Sequence, residues 1–245
     1  MTDFGKLSWT DAKALIDAGC AAILPVGSTE AHGPHLPLDT DVTIALGMAR
    51  RAAAKIAGHC VVLPPVAYSV TDFAAPFPGT LTLPQETARA MLRDVLAGAI
   101  AMGFSPVAVA NAHLEPAHIA TIRGAIEDVA GVSGATIVFP DVTRRRNAER
   151  LGDEFTSGAC HAGRYEGSLV MADDPDAVKD DVRRDLPEVP ISLVDAIRAG
   201  QADFLAAGGT QAYFGAPAEA SAEEGHATYD VLADILVEAM ETSGD

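Results

Sequence analysis

Apolar residues follow two different patterns at the start of this chain. Between Ser8 and Gly19 they recur at the spacing of one helical face, and Ser8 with Asp11 resembles a capping box that opens such a helix. Residues 21–26 instead form a continuous apolar run, which is typical of a strand buried on both faces. The pattern predicts a helix that ends near Gly19 and a buried strand directly after it.

The same alternation continues along the chain. Further strands are predicted at residues 60–63, 106–110 and 135–139. Helices are predicted at residues 41–57 with Asp39 or Thr40 as N-cap, from Pro84 through Ile100, from Pro116 through Val129, and from a Ser221 cap to Met240. Residues 140–220 show no clear period. Strands separated by helices predict an α/β fold, a three-layer α/β/α domain with a mostly parallel sheet.

Composition limits the classes of protein that fit this chain. With 245 residues, 49% of them hydrophobic and 21% charged, the sequence predicts one domain, residues 1–245, with a core that needs no disulfides. Thirty-four acidic residues against seventeen basic ones give a net charge of -17, which argues against nucleic acid or an anionic membrane as a partner. The start of the chain lacks a signal-peptide pattern and no apolar run is long enough to span a membrane, so we expect a cytoplasmic protein.

Carboxylates and histidines are concentrated after two of the predicted strands. Glu30 and His32 lie two residues apart in the first loop, and Asp41 stands where the next helix begins. His113 and Glu115 repeat the two-residue spacing after the 106–110 strand. In extended backbone, residues two apart point the same way, and loops after parallel strands meet at one edge of the sheet.

These five side chains form a ligand set of oxygen and imidazole donors that suits Zn, Mn, Fe or Co. They are too many for one ion, so we predict two divalent ions with Asp41 between them and a bridging water, ionised near neutral pH, as nucleophile. The alternative is that the acidic residues cap helices and the histidines are hydrogen-bonded within their loops. Matched spacing in two loops favours the metal interpretation.

Three stretches resemble the motifs of a known family. GSTEAHGPHLPLDTD at 27–41, NAHLE at 111–115 and HAGRYEGS at 161–168 are similar to the motifs of the creatininase (creatinine amidohydrolase) family. FPGT at 77–80 and the AYFGAP and AEEG segments near 212–225 extend the resemblance over nearly the whole chain. The resemblance implies a single three-layer α/β domain, a dinuclear metal site and a homo-oligomer, a hexamer.

The resemblance also implies roles for individual residues. Carried onto this sequence, one ion is bound by Glu30, Asp41 and His113, and the other by His32, Asp41 and Glu115. His161 corresponds to the family's remaining catalytic histidine, and a histidine of near-neutral pKa suits protonation of a leaving nitrogen. Glu166 corresponds to an acidic position of the same motif, where it could orient another group, carry protons or bind metal.

Two departures bear on the substrate. True creatininases place tryptophans beside the site, whereas the only tryptophan here is Trp9, in the first predicted helix. Arg164 gives HAGR, which is more similar to the branch that includes the mycofactocin-maturation peptidases, although Gly167 stands where that pattern has threonine. The resemblance therefore does not identify creatinine as the substrate.

The predicted function is hydrolysis of a linear or cyclic C–N amide bond by a metal-dependent enzyme with Zn, Mn or Fe. A bridging hydroxide attacks the carbonyl carbon and His161 protonates the departing nitrogen. One alternative is a small metallopeptidase that trims a peptide terminus, so the partner is a small amide or a short peptide. The other is a non-catalytic, metal-containing oligomeric binding protein.

The remaining polar residues receive structural interpretations. His35 is predicted to brace its loop, and His118 to pack in or on its helix. The arginines at 144–146 and 150 are predicted to form a solvated helix face. The alternative is that one of these, or Arg164, binds a substrate carboxylate or phosphate.

Overall fold

Strands and helices alternate along the first half of the chain. A computed structural model describes residues 2–133 and 136–242. In these residues the strands are β1 (Thr2–Asp3), β2 (Ala21–Val26), β3 (Cys60–Val62), β4 (Val107–Asn111) and β5 (Ile137–Val138). The helices are α1 (Trp9–Asp17), α2 (Thr40–Lys55), α3 (Gln85–Met102), α4 (Pro116–Ser133), α5 (Arg145–Ala148), α6 (Asp153–Ser157), α7 (Arg164–Asp173), α8 (Asp180–Arg184), α9 (Leu193–Arg198) and α10 (Ala222–Glu241). Short 3₁₀ helices lie at Phe4–Lys6, Pro175–Ala177 and Pro217–Glu219.

Within these described ranges, five strands pair in parallel in the order β1-β3-β2-β4-β5. The central strand β2 pairs with β3 on one side and with β4 on the other. Because every strand runs the same way, the carboxyl ends of β2, β3 and β4 lie at one edge of the sheet. The segments that follow these strands therefore start next to one another.

Helices cover both faces of the sheet. Ile23 of β2 belongs to the core shared with α2, α7 and α10. Its neighbours Ala22 and Leu24 point the other way, into the core shared with α3 and α4. Burial of one leucine or isoleucine side chain contributes about 1.5–3 kcal/mol, so two such layers hold the strand ends firmly in place.

The predicted α/β class with a parallel sheet between helices is confirmed. The capping box at Ser8 and Asp11 is present with both of its hydrogen bonds, and the helix predicted at 41–57 runs from Thr40 to Lys55. Residue 135, where the last strand was predicted to begin, lies outside the described residues. None of the described helices combines the length and apolar character needed to cross a membrane.

Candidate metal centre

The loops after β2 and β4 bring three predicted ligands together. The two strands are neighbours and end in register, with Val26 opposite Asn111. Glu30 and His32 follow β2, and His113 follows β4 by two residues. All three side chains are buried and at most 4% exposed. Parallel pairing thus places distant parts of the sequence at one point of the sheet edge.

Asp41 enters the same space from the first turn of α2. Gly27, the residue after β2, approaches this helix so closely that a Cβ atom there would lie 2.8 Å from backbone atoms of Asp41 and Val42. A side chain at position 27 would push the start of α2 away, so the close approach requires glycine. The Asp41 carboxylate is buried and its Oδ2 accepts a hydrogen bond of 2.7 Å from the Ser28 hydroxyl.

The segment 69–73, which follows β3, holds two of these ligands from the other side. The Thr71 hydroxyl donates a hydrogen bond to Oε2 of Glu30. The carbonyl oxygen of Val70 lies 2.9 Å from Nε2 of His113. This segment therefore orients one carboxylate and one imidazole at once.

The last two polar groups of the site, His161 and Glu166, come from the segment just before α7 and from its first turn. Glu166 lies in its first turn, and Oε2 of Glu166 accepts a hydrogen bond of 2.6 Å from the Ala162 N–H. Ala162 has a φ of 50°, a left-handed conformation that residues with a Cβ rarely adopt. It lies directly after His161, so local backbone strain is held in place beside a predicted catalytic residue.

Six side chains meet in one buried cluster. Three groups have candidate ligand atoms within 4.8 Å of one another: Glu30, Asp41 and His113; His32, Asp41 and Glu166; and Glu30, His32 and His161. Nδ1 of His113 lies 3.2 Å from Oδ2 of Asp41, and Nε2 of His32 lies 3.3 Å from Oδ1 of Asp41. Asp41 thus presents one oxygen to each histidine, which is the arrangement that a carboxylate shared by two ions needs.

Each histidine of the cluster is fixed by its outer ring nitrogen. The pairs are Nδ1 of His32 with the Glu30 carbonyl at 3.2 Å, Nε2 of His113 with the Val70 carbonyl at 2.9 Å, and Nε2 of His161 with the Ala31 carbonyl at 3.0 Å. A carbonyl oxygen only accepts, so the outer nitrogen carries the proton. The inward nitrogen of a neutral ring is then left with a lone pair for a cation.

Burial and charge compete at these groups. Burial opposes the charge on His32, but Asp41, Glu166 and Glu30 outweigh it and raise its pKa to about 10. The same competition, with Glu30 and Asp41, raises the pKa of His113 well above its ordinary value. Burial disfavours ionised Asp41, yet the charges of His32 and His113 hold its pKa well below the usual range. Burial raises the pKa of Glu166 to about 8, although His32 opposes this shift.

The residues present fit divalent cations. In the described part of the chain, the ion pairs of Glu30, Asp41 and Glu166 are all with histidines. The buried carboxylates need compensating positive charge wherever they are ionised, and among these ion pairs only histidine protons supply it. Nε2 of His32 is buried without a hydrogen-bond partner, a costly state that a bound cation would relieve. Oxygen and imidazole donors suit Zn, Mn or Fe.

Metal binding is expected to release protons. His32, with a pKa of about 10, and His113 hold protons near neutral pH, and a cation must displace them. Because protons compete with the cation for these nitrogens, Zn²⁺ affinity should rise between about pH 6 and about pH 8 as the proton concentration falls. Calorimetry in buffers of different ionisation enthalpy measures the protons released. Affinity that stays constant over this range, with no proton released, would contradict the assignment.

A cavity of about 420 Å³ opens onto the cluster. Glu30, Asp41, His113, His161 and Glu166 line one part of it. Its apolar lining comes from Phe73, Leu114, Ala148, Phe155, Leu193, Val194, Ile197 and Phe204. The Phe204 ring lies 4.3 Å from the His161 ring, centroid to centroid, so the apolar wall begins at the cluster itself. The volume suits a small ligand or a few residues of a peptide.

Comparison with known families decides the assignment. The model of the family described as "Creatininase: Creatinine amidohydrolase" matches residues 5–240. This chain belongs to the creatininase family. The predicted resemblance is thereby confirmed. Members of the creatininase family are metal-dependent amidohydrolases that act on C–N bonds, and this protein is one of them.

Individual proteins and solved structures are also similar to this chain. The chain is 27% identical over 241 residues to "Mycofactocin precursor peptide peptidase" of Mycobacterium ulcerans, covering 95% of this chain and 89% of that protein. It is also 27% identical over 194 residues to "Creatinine amidohydrolase" of Pseudomonas putida, covering 71% of this chain and 72% of that protein. The solved structure described as "Creatininase Mn" has the same fold, with a TM-score of 0.79 at 23% identity over 98% of each chain.

Glu115 is the one predicted ligand that lies apart from the others. Among the described residues it belongs to none of the three groups. Its carboxylate accepts hydrogen bonds from the backbone N–H groups of Asp72 at 3.3 Å and Phe73 at 3.2 Å. It does line the cavity. The structure thus gathers Glu30, His32, Asp41, His113, His161 and Glu166 at the centre and leaves Glu115 beside it.

The structure also shows where Trp9 and two of the arginines considered as substrate-binding residues lie. Arg145 lines the cavity but pairs with Glu149 at 2.6 Å, and Arg164 forms ion pairs with Asp153 and Glu219. Trp9 is 77% exposed in α1 and is not among the cavity residues.

Two contacts could not be read from the sequence. Thr71 and Phe204 reach the cluster from segments that carry no metal-ligand pattern. The hydroxyl and apolar groups of these residues are common in any loop, so only the fold reveals their contacts with Glu30 and His161. Their sequence gives no signal of this position.

Proposed function

We propose that this protein hydrolyses an amide bond at a centre of two divalent ions. Glu30, Asp41 and His113 would hold one ion, and His32, Asp41 and Glu166 the other. The observation that carries the proposal is the central carboxylate of Asp41, with one oxygen 3.3 Å from His32 and the other 3.2 Å from His113.

The ligand set for the second ion differs from the one expected from the motifs. Oε2 of Glu166 lies 3.6 Å from Nε2 of His32 and shares a group with Asp41. The carboxylate oxygens of Glu115 instead accept hydrogen bonds from two backbone N–H groups. We therefore assign Glu166 to the metal, and assign Glu115 to the cavity wall, where it can hydrogen-bond a substrate amide.

When bound, two divalent ions would polarise the amide carbonyl and lower the pKa of the attacking water. His161 is the residue that can move protons. Burial and the charge of His32 lower its pKa to about 4, below the near-neutral value expected from the motif, so its ring is neutral near pH 7 and is ready to accept a proton. Its Nε2–H is held by the Ala31 carbonyl and Nδ1 faces the cluster. Nδ1 can take a proton from water and pass it to the leaving nitrogen.

Replacement of His161 by glutamine is expected to lower kcat by about 10²-fold or more while both ions stay bound. Glutamine can keep a hydrogen bond to the Ala31 carbonyl but cannot carry a proton between water and nitrogen. Elemental analysis and steady-state kinetics check the two parts separately. The matched control is His59→Gln, an exposed histidine. Loss of an ion from His161→Gln would make His161 a ligand instead.

A second candidate function is trimming of a peptide terminus. Leu193, Ile197 and Phe204 give the cavity an apolar wall that would accept a hydrocarbon side chain. A compact polar ring would leave this wall without contacts. The likeness to a mycofactocin precursor peptide peptidase over 95% of this chain supports the same candidate.

The two candidates are separated by substrate. Metal-loaded protein is incubated with cyclic ureides, simple amides and short peptides that carry either apolar or charged residues next to each scissile bond. Release of amine from any of these supports the amidohydrolase, and preference for apolar peptides supports the peptidase. If none is cut after loading with Zn²⁺, Mn²⁺ or Fe²⁺, the proposed function is wrong.

Three expectations remain proposals. From the sequence we retain a homo-oligomer of up to six copies. We also retain a cytoplasmic location and a single domain over residues 1–245. The non-catalytic alternative is weakened, because a buried cluster that opens into a cavity is the arrangement of a reactive site, whereas structural zinc sites are closed.

A further inference from the structure

His118 lies behind the metal centre without touching its carboxylates. The ring is fully buried in the first part of α4, and its centroid lies 4.7 Å from that of His113. Nδ1 of His118 lies 2.5 Å from the Ser69 hydroxyl, and Nε2 lies 2.7 Å from Oδ1 of Asn111. Ser69 is likewise fully buried, and Asn111 is 5% exposed. These contacts join Ser69, His118 and Asn111 in one buried hydrogen-bonded network.

The hydrogen bonds of Asn111 determine the direction of the other hydrogen bonds in this network. The amide nitrogen of Asn111 donates to the His113 carbonyl at 2.6 Å, and Oδ1 of Asn111 accepts from the His113 N–H at 3.3 Å. Since Oδ1 accepts, Nε2 of His118 must be the donor to it. Nδ1 of a neutral ring is then the acceptor from the Ser69 hydroxyl.

The two ends of this network, at Asn111 and Ser69, lie on either side of the predicted ligand His113. Asn111 holds the N–H and the carbonyl of His113, and Val70, next to Ser69, accepts from the ring of His113. His113 is thus fixed at its backbone from β4 and at its ring from the 69–73 segment. His118 is the group that joins these two supports.

We propose that Ser69, His118 and Asn111 form a positioning network that holds His113 ready to bind metal. The inference rests on the metal centre of the proposed function. Without His118, Asn111 loses the donor that orients its amide and the Ser69 hydroxyl is left buried without its acceptor. Removal of such supporting groups behind a ligand typically weakens metal binding by 10–100-fold.

Zinc affinity of the full-length protein tests the network. Metal-free wild type, His118→Phe, His118→Gln and Ser69→Ala are titrated with Zn²⁺ against a chromophoric chelator, and the thermal midpoint of each is recorded. We expect His118→Phe to bind Zn²⁺ about 10–100-fold more weakly. Glutamine also offers a donor and an acceptor, so His118→Gln should recover much of the affinity, and Ser69→Ala should show a smaller loss.

Thr121→Val is the matched control. Thr121 is buried in the same helix, and its hydroxyl donates only within α4, to the Ala117 carbonyl at 2.8 Å. Its loss should change the thermal midpoint but not the Zn²⁺ affinity. Wild-type affinity in both His118→Phe and Ser69→Ala, or an equal loss in Thr121→Val, would overturn the network. If His118→Phe does not fold, Ser69→Ala decides. A wild type that binds no Zn²⁺ would overturn the proposed function as well.

Discussion

Asp41→Ala is expected to lose both ions and to lower amide hydrolysis by about 10³-fold or more. One carboxylate faces both histidines, at 3.3 Å from His32 and 3.2 Å from His113. Removing it takes a ligand from each proposed ion and leaves two fewer negative oxygens to offset their charge. Elemental analysis after dialysis measures the ions, and amine release from the best substrate measures the activity.

The control for this variant lies two residues away. Asp39 is an exposed carboxylate that makes no side-chain capping bond at the start of α2. Asp39→Ala makes the same chemical change and should keep both ions and full activity. If Asp41→Ala still contains two equivalents of metal, Asp41 does not join the two ions and the arrangement proposed here is wrong.

Glu166→Gln and Glu115→Gln are expected to fail in different ways. Glu166→Gln should lose one of the two ions, because an amide is a poor substitute for the carboxylate beside His32. Glu115→Gln should keep both ions, since its oxygens contact backbone N–H groups at 3.3 and 3.2 Å, and should lower hydrolysis by about 10²-fold through a lost substrate contact.

Each of these two variants is the other's control, because both replace a glutamate with glutamine near the same cavity. Elemental analysis and kcat/KM are measured side by side. Loss of an ion from Glu115→Gln, with Glu166→Gln unchanged, would restore the ligand set expected from the motifs and remove Glu166 from the metal.

Much of the fold could be predicted from the sequence, because hydrophobic residues follow clear patterns along its main strands and helices. Residues 21–26 are apolar at every position and form the central strand, buried on both faces. Ser8 caps α1 as expected. Two features escaped prediction: β1 is only two residues long, and the short helices α5–α9 lie where no period of hydrophobic residues is present.

Spacing alone located most of the candidate site. The pairs at 30 and 32 and at 113 and 115 follow neighbouring strands, so the sheet was expected to join them, and it brings Glu30, His32 and His113 together. Glu115, which has the same spacing, lies outside the three groups of candidate ligands. A side chain two residues from a ligand can face the same way and still be taken by other partners, here the N–H groups of Asp72 and Phe73.

The remaining part of the site depends on tertiary contacts. The Glu166 carboxylate accepts a hydrogen bond from the N–H of Ala162, whose left-handed φ of 50° no propensity of alanine predicts. His118 joins the ligand loop to segment 69–73 because the start of α4 lies within hydrogen-bond distance of Ser69 and Asn111. The motif pointed to Glu166 without choosing its role, and the contact of His118 with Ser69 joins residues 49 positions apart, for which the sequence pattern carries no signal.

Metal titration of the chelated protein tests whether amide hydrolysis depends on two bound ions. The wild type is stripped with a chelator, dialysed and titrated with Zn²⁺ or Mn²⁺ while bound metal and amide hydrolysis are measured in the same samples. We predict no hydrolysis without metal and full activity at two equivalents per chain. Undiminished hydrolysis by the metal-free protein, or saturation at a single equivalent, would contradict it.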